Sequence, residues 1–320
     1  MTSKKEILSY HNILLFIVSA VAMAALLMFA AACTADQINP GPDSSNSDPY
    51  LTKPDPDNSL QQENDQAGYP ADDSDHAENS NGQNEPEPVP KLPYIGIYSG
   101  AGSWDTNVEA FGHFFDFYEY EWAEFDQHDA LSPDFLSNFD LLWFPGGGSA
   151  DYKYNIKDHS VIRSFVENGG MLAGTCAGAY YAADIMSWFG DEYEYPLGLF
   201  KGKSIGPLSG LVGWGEITAL TLNKDLDFNS DFNSNVTMYY FDGPYFSPDE
   251  PDSVIVLASY EVNKQPAVIA GSYGLGKYLL FGPHPELGGY SSSSPDFNLN
   301  GGEGAFWPWL HQSILWFCSW

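Results

Sequence analysis

The chain has 320 residues, 43 acidic against 12 basic side chains, and a formal net charge of -31. Such a surface repels polyanions, which argues against nucleic acid as a partner and against binding to anionic lipid headgroups. The three cysteines, Cys33, Cys176 and Cys318, have no neighbours at metal-ligand spacing, so neither a disulfide framework nor a zinc site is expected.

Lys4 and Lys5 precede an apolar stretch from Ile13 to Ala32, which closes in Ala30-Ala31-Ala32-Cys33. A basic start, a long apolar run and small residues before a cysteine describe an export signal over residues 1–33, with Cys33 the residue lipidated in a lipoprotein. About 20 apolar residues also suffice to span a bilayer, so an uncleaved anchor fits the same stretch. Both readings put the remaining chain outside the cytoplasm, membrane-tethered through its N-terminus at the cell surface or, after cleavage, secreted. Residues 34–92 are rich in Pro, Ser, Asn and Asp and poor in apolar side chains. Such a segment cannot offset its ordering entropy by burial and is expected to be a flexible acidic linker, with His76 inert in it.

Aromatic and aliphatic runs begin only near Lys91, leaving residues 93–320 for one α/β domain. From Lys91 onward 29 Asp and Glu face 9 Lys and Arg, a balance of -20, so the domain itself is acidic. Tyr94 to Tyr98 reads as a first strand, followed by a helix from Val108 to Phe117 that Thr106 or Asn107 is expected to cap. Glu119 to Phe125 alternates acidic and aromatic residues as an edge strand does. Leu141 to Phe144 is a short buried strand running into Pro145-Gly146-Gly147-Gly148. A helix from Ser160 to Asn168 stops at Gly169-Gly170, and Met171 to Ala173 supplies the next strand.

That strand leads into G-T-C-A-G-A-Y at Gly174 to Tyr180. Small residues on both sides of Cys176 suit a sharp strand-to-helix turn, with the sulfur at a helix N-terminus where unpaired N–H groups favour the thiolate. Taken alone, the stretch fits a small buried cysteine equally well. Beyond residue 198 closely spaced strands follow: Glu216 to Leu222, Val236 to Phe241, Ser253 to Tyr260, Ala267 to Ser272 and Lys277 to Phe281. The last two are joined at Gly274-Leu275-Gly276. Gly282-Pro283-His284-Pro285-Glu286 comes directly after them, and an aromatic helix over about 304–319 ends the chain, with Cys318 packed in it.

In a parallel sheet the loops at the carboxyl ends of strands share one edge. Three such loops here carry unusual residues. The triple-glycine loop offers backbone N–H groups to an oxyanion, or is simply a tight turn. The second carries the thiol. In the third, His284 can take the thiol proton, and Glu286, held by the intervening Pro285, can fix the imidazole tautomer.

G-T-C-A-G-A-Y, F-P-G-G-G at Phe144 to Gly148 and G-P-H-P-E at Gly282 to Glu286 together resemble the class I glutamine amidotransferase-like superfamily. I-Y-S-G-A-G at Ile97 to Gly102, Y-Y-F-D-G-P-Y-F from Tyr239 and Y-G-L-G-K from Tyr273 resemble, more narrowly, the domain found at the N-terminus of biotin-protein ligases and as free-standing proteins. The resemblance implies a flavodoxin-like three-layer sandwich around a mostly parallel sheet, with a C-terminal β-hairpin and terminal helix. It implies Cys176 as nucleophile, His284 as base and Glu286 as its orienter, with the backbones of Gly147 and Ala177 holding the oxyanion. Gly146, Tyr240, Asp242 and Gly243 are its substrate-binding positions. A chain with one arginine, Arg163, does not carry the ligase adenylate loop, so biotin ligation is not implied. The function expected is a cofactor-free, metal-free, extracytoplasmic hydrolase of small-molecule or peptide amides. The alternative is a binding or scaffolding module that keeps the pocket without turnover, since the aromatics around the site fit a ligand rim, a substrate cleft or plain core packing.

Overall fold

The computed structural model describes residues 91–287 and 306–320. The export signal or anchor, Cys33, His76 and the linker up to residue 90 lie outside the described residues. No described helix is long and apolar enough to cross a membrane.

The chain opens with β1 (Ile95–Tyr98), α1 (Asp105–Phe117), β2 (Trp122–Phe125), α2 (Pro133–Leu136) and β3 (Leu141–Phe144). Next come α3 (Ser149–Asn155), α4 (His159–Glu167), β4 (Met171–Thr175) and α5 (Ala177–Ala182). Strands β5 (Ala183–Trp188), β6 (Asp191–Glu194), β7 (Phe200–Gly206), β8 (Glu216–Leu222) and β9 (Asn235–Tyr240) follow. The remainder is β10 (Tyr245–Pro248), β11 (Val254–Tyr260), β12 (Pro266–Tyr273), β13 (Gly276–Phe281) and α6 (Trp307–Ser319).

Among the described residues, nine strands form the main sheet in the order β2-β1-β3-β4-β13-β12-β11-β8-β9. The β2-β1-β3-β4-β13 half is parallel and holds the site; from β13 through β9 the neighbours are antiparallel. Period-2 alternation divides the buried side chains between two faces. Ile95, Ile97, Leu141 and Trp143 pack with Phe111 and Phe114 of α1 and with Leu310 and Ile314 of α6. Tyr98, Leu142, Phe144 and Leu172 pack on the other side with Ile162 and Val166 of α4 and Tyr181 of α5. Helices on both faces of one sheet make the three-layer α/β sandwich that the alternating pattern predicts.

β2 pairs only with β1 and forms the edge, as its half-polar composition suggests. β12 and β13 pair Tyr273 with Gly276, leaving Gly274 and Leu275 as the turn, with Gly274 at φ 60. α4 is capped by Asp158, whose Oδ1 accepts from Ser160 N at 3.0 Å.

Three features depart from the sequence reading. α1 begins at Asp105 with Trp104 as N-cap and no side-chain cap bond; Asn107 is inside the helix and fully buried, because its amide has a partner elsewhere. α5 is only six residues long: Ala183 turns extended at φ -78, ψ 163, and the chain enters a second sheet of order β10-β7-β5-β6. A third departure is the helix α3, which starts immediately after the triple-glycine loop. Cys318, in the last turn of α6, packs partly buried against the core, and burial pushes its thiol up to about 11, in keeping with a structural cysteine.

Candidate active site

Parallel pairing of β4 with β3 and β13 sets Phe144 beside Gly174 and Phe281 beside Thr175. The three strands therefore end level, and the loops after them emerge together. Backbone bonds fasten the cysteine turn to both neighbours: Cys176 N donates to Phe281 O at 2.8 Å and Gly178 N to Pro145 O at 3.2 Å. A Cβ on Gly178 would lie 2.0 Å from Phe144 O, and one on Gly174 2.6 Å from Gly178 C. Helix and strands approach this closely only because both positions lack a side chain. Cys176 itself sits at φ 52, ψ -103, a sparsely populated conformation for a residue with a Cβ and the kind of strain found where a side chain must be presented at a turn. The residue is 4% exposed and borders a cavity of about 430 Å³.

His284 and Glu286 are both fully buried. The His284 backbone is anchored by its N–H to Tyr239 O at 2.9 Å, and Nδ1 lies 2.7 Å from Glu286 Oε1. Asn107 Nδ2 donates to the same Oε1 at 2.9 Å and stands 3.3 Å from His284 Nδ1. An amide NH₂ can only donate and the carboxylate only accept, so the Nδ1 proton and the Asn107 proton converge on one oxygen. Nδ1 is thereby the protonated nitrogen of the neutral ring, and Nε2 is the free one. Nε2 is buried without a hydrogen bond, as are Glu286 Oε2 and Asn107 Oδ1.

Burial alone would lower the His284 pKa; the Glu286 carboxylate and then the Cys176 sulfur more than reverse this and lift it from 6.5 to about 10. The sulfur is thus close enough to favour a charged ring. Sγ also stands 3.4 Å from Phe241 O, a second acceptor within reach of the thiol proton. The thiol lies between the imidazole, whose proton affinity it raises, and the Phe241 carbonyl, and rotation of the S–H about the Cβ–Sγ bond exchanges the two acceptors.

On the opposite side of the sulfur the loop after β1 clamps the triple-glycine loop. Trp104 N donates to Gly146 O at 3.0 Å and Gly148 N to Gly102 O at 2.7 Å. Between these two bonds the Gly147 N–H has no acceptor among the described residues, and neither has that of Ala177 at the first position of α5. Both residues line the cavity with Cys176. Gly147 is at φ 153, and a Cβ there would lie 2.0 Å from Gly102 O, so the loop requires glycine. Two unused amide donors beside a buried sulfur can stabilise negative charge developing on a carbonyl oxygen.

The four expected substrate positions divide. Asp242, at φ 60, lines the cavity, its carboxyl raised by burial. Gly146, Tyr240 and Gly243 do not line it. Gly146 packs on the imidazole, since a Cβ there would stand 2.6 Å from His284 Cε1. Tyr240 is buried, its hydroxyl accepting from Leu208 N at 2.6 Å and donating to Gly243 O at 3.0 Å. These bonds brace the loop that presents Phe241 and Asp242.

Residues that the sequence reading did not place at the site are Asn107, Trp104, Lys153, Trp188, Tyr193, Tyr195, Trp214 and Phe241. All but Asn107 line the cavity. Several come from the unforeseen second sheet and the loop before β8; only the excess of aromatic residues hinted at them. Among the described residues no cluster of three His, Cys, Asp or Glu is placed to hold a metal ion.

The family described as biotin-protein ligase, N terminal, matches residues 95–299 of the chain. A biotin–protein ligase of Schizosaccharomyces pombe is 28% identical over 160 residues, which cover 46% of this chain and 25% of that protein. The chain thus spans about a quarter of the curated relative it matches. Among solved structures, one described as a glutamine amidotransferase is 20% identical, with a TM-score of 0.49 and coverage of 71% of this chain and 99% of that one. A glutamine amidotransferase of Thermotoga maritima is 13% identical, with a TM-score of 0.41 and coverage of 61% and 76% respectively.

Proposed function

The chain belongs to the biotin-protein ligase N-terminal family, and on that premise we propose that it is a cysteine-dependent hydrolase of amide-type bonds. In this reading it works outside the cytoplasm, tethered by the basic and apolar residues 1–33. Cys176 is the nucleophile, His284 the acid and base, and Glu286 the group that orients the ring. Biotin ligation is not part of the reading.

The observation that carries it is the state of the His284 ring. One nitrogen is bonded to Glu286 at 2.7 Å, and the other is buried without a partner on a ring whose proton affinity the neighbouring sulfur raises. Transfer of the Sγ proton to Nε2 makes a thiolate and an imidazolium side by side. The thiolate attacks the carbonyl carbon, and the oxyanion that forms accepts from the amides of Gly147 and Ala177. As the intermediate collapses the C–N bond breaks, the Nε2 proton goes to the leaving amine, and a thioester remains. Water, giving a proton to Nε2, hydrolyses the thioester and restores the thiol. Acid–base assistance of this kind contributes about 10² to 10⁴ in rate.

Ammonia or amine release from a panel of primary and secondary amides tests the reading, with iodoacetamide labelling at neutral pH beside it. Activity that disappears in Cys176→Ala, together with labelling of Cys176 faster than of a free thiol, is the expected result. The contact of the thiol with Phe241 O, an acceptor that competes with the imidazole for its proton, favours a second reading, a binding module that keeps the pocket without turnover. Labelling no faster than a free thiol, with ligand binding unchanged in Cys176→Ala, would decide for that one. Mass spectrometry of the mature N-terminus tests lipidation at Cys33.

A further inference from the structure

Beside the sulfur, three rings meet edge to face. Trp104 and Trp214 have centroids 6.4 Å apart at 73°, Trp214 and Phe241 4.9 Å apart at 84°, and Trp104 and Phe241 6.1 Å apart at 88°. Phe241 in turn stands 5.3 Å from the His284 ring at 86°. This wall therefore runs from solvent, where Trp214 is 62% exposed, to the imidazole. A second wall comes from α5 and the second sheet, with Tyr180 against Trp188 at 5.8 Å and Met186 and Tyr195 beside them.

The lysine and several hydroxyls of these walls are already engaged within the protein, and what the tryptophans present is mainly ring surface. Tyr180 Oη donates to Asp242 O at 2.8 Å, Tyr195 Oη and Ser149 Oγ pair at 3.0 Å, and Lys153 Nζ donates to Glu194 O at 2.6 Å, 5.0 Å from the Tyr195 ring. Two backbone donors of the lining left without an acceptor among the described residues, Gly147 and Ala177 N–H, are gathered at the sulfur. A sugar face would need polar partners along the walls. A free α-amino acid would need a cationic and an anionic contact at its head; Asp242 offers the anionic one, but the one lining cation, Lys153, is held against the Glu194 carbonyl and two tyrosine rings.

We infer that the cavity takes a carbonyl compound whose remainder is flat and apolar, an aryl or similar acyl group, with the carbonyl at the sulfur and the ring between the Trp104–Trp214–Phe241 wall and the Tyr180–Trp188 wall. The inference rests on the hydrolase reading for what happens to the bond, and on the cavity alone for what is bound. Burial of one ring between such walls corresponds to about tenfold or more in affinity.

L-Glutamine and 3-phenylpropionamide share the same CH₂-CH₂-CONH₂ end and differ in carrying an α-amino acid head or a phenyl ring. Binding of each to Cys176→Ala by calorimetry, and ammonia release from each by the wild type, are compared. The expected result is at least about tenfold tighter binding and about tenfold higher kcat/KM for the phenyl compound, with Trp214→Ala raising its Kd and KM about tenfold and leaving kcat in place. Trp214 is largely exposed, so that variant should retain the fold, which circular dichroism checks. Trp104→Ala repeats the test from the other ring of the same wall. Tighter binding of glutamine, no binding of the phenyl compound, or unchanged Kd in both tryptophan variants overturns the inference even if glutamine is hydrolysed. Binding of the phenyl compound that Trp214→Ala weakens, without ammonia release from either amide, upholds the inference and sinks the hydrolase reading instead.

Discussion

Asn107 and Glu286 lie 179 positions apart in the sequence and are joined by one hydrogen bond of 2.9 Å between fully buried side chains. The Asn107 amide shares Glu286 Oε1 with the Nδ1 proton of His284, so the carboxylate that orients the ring is itself oriented from α1. Asn107 does not line the cavity; in the proposed hydrolase it is a positioning residue.

Asn107→Ala removes a hydrogen bond to a charged group, an interaction worth about 1.5–3 kcal/mol. Expressed in the transition state, that is about ten- to a hundredfold in kcat, with KM nearly unchanged. The pH–rate profile separates positioning from mere destabilisation. A freed carboxylate shifts the His284 limb, whereas a protein that is only less stable keeps the wild-type limbs at lower amplitude. An unmoved profile counts against the positioning role.

Glu286→Gln keeps the shape and removes the charge. Burial by itself lowers the His284 pKa, and the Glu286 carboxylate is the first of the groups that reverse this. The imidazole pKa in this variant should therefore fall from about 10 towards or below 6.5, read by NMR of the ring. Iodoacetamide labelling of Cys176 at pH 7 should slow with it. A ring that still titrates near 10 would mean that another charge sustains it.

Stability should decline with rising pH in a defined window. His284 is raised from 6.5 to about 10 in the fold, so the native state binds its proton more tightly than the unfolded chain. The resulting stabilisation is complete below about pH 6.5 and is lost as pH rises through about 10. Thermal denaturation from pH 6 to 9.5 should show Tm falling in the wild type and flattening in Glu286→Gln. The upper limit matters because buried tyrosines such as Tyr98 and Tyr240, raised by burial, add their own loss above pH 10. A flat wild-type profile in this window contradicts the assignment.

Two glycines near the site should respond differently to alanine. A Cβ at Gly178 meets backbone, Phe144 O at 2.0 Å, so strand and helix must part; Gly178→Ala should cost about 1–3 kcal/mol or more of stability, measured by denaturant unfolding. A Cβ at Gly146 meets side chains, His284 Cε1 at 2.6 Å and Asn107 Oδ1 at 2.7 Å. Gly146→Ala should displace the ring and lower kcat about a hundredfold with the smaller loss of stability. The reverse pattern would mean that the Gly146 contact is not what holds the imidazole.

Much of the site was legible before any coordinates because its parts are local. The Cys176 turn announces itself through Gly174, Gly178 and the small residues around them; the cysteine is at positive φ, and a Cβ on Gly178 would lie 2.0 Å from Phe144 O. His284, Pro285 and Glu286 stand together in the chain, and the short apolar run Leu141 to Phe144 marks a strand buried on both faces. What the sequence by itself determined is therefore the α/β order, the strands that end level and the three loops that meet after them.

Asn107 shows where that reading stops. By composition and position it is a helix cap, and one chain carries no sign that its amide will instead reach a carboxylate on the far side of the domain. The cavity walls are a second case: nothing in residues 183–206 marked a second sheet, yet they supply three of its four strands, and the cavity gathers Trp188 and Tyr195 with Trp214 and Phe241. Backbone geometry within a turn is imposed by neighbouring residues and so is written locally. Which distant side chains share a cavity depends on how whole layers pack, and only the tertiary structure decides that.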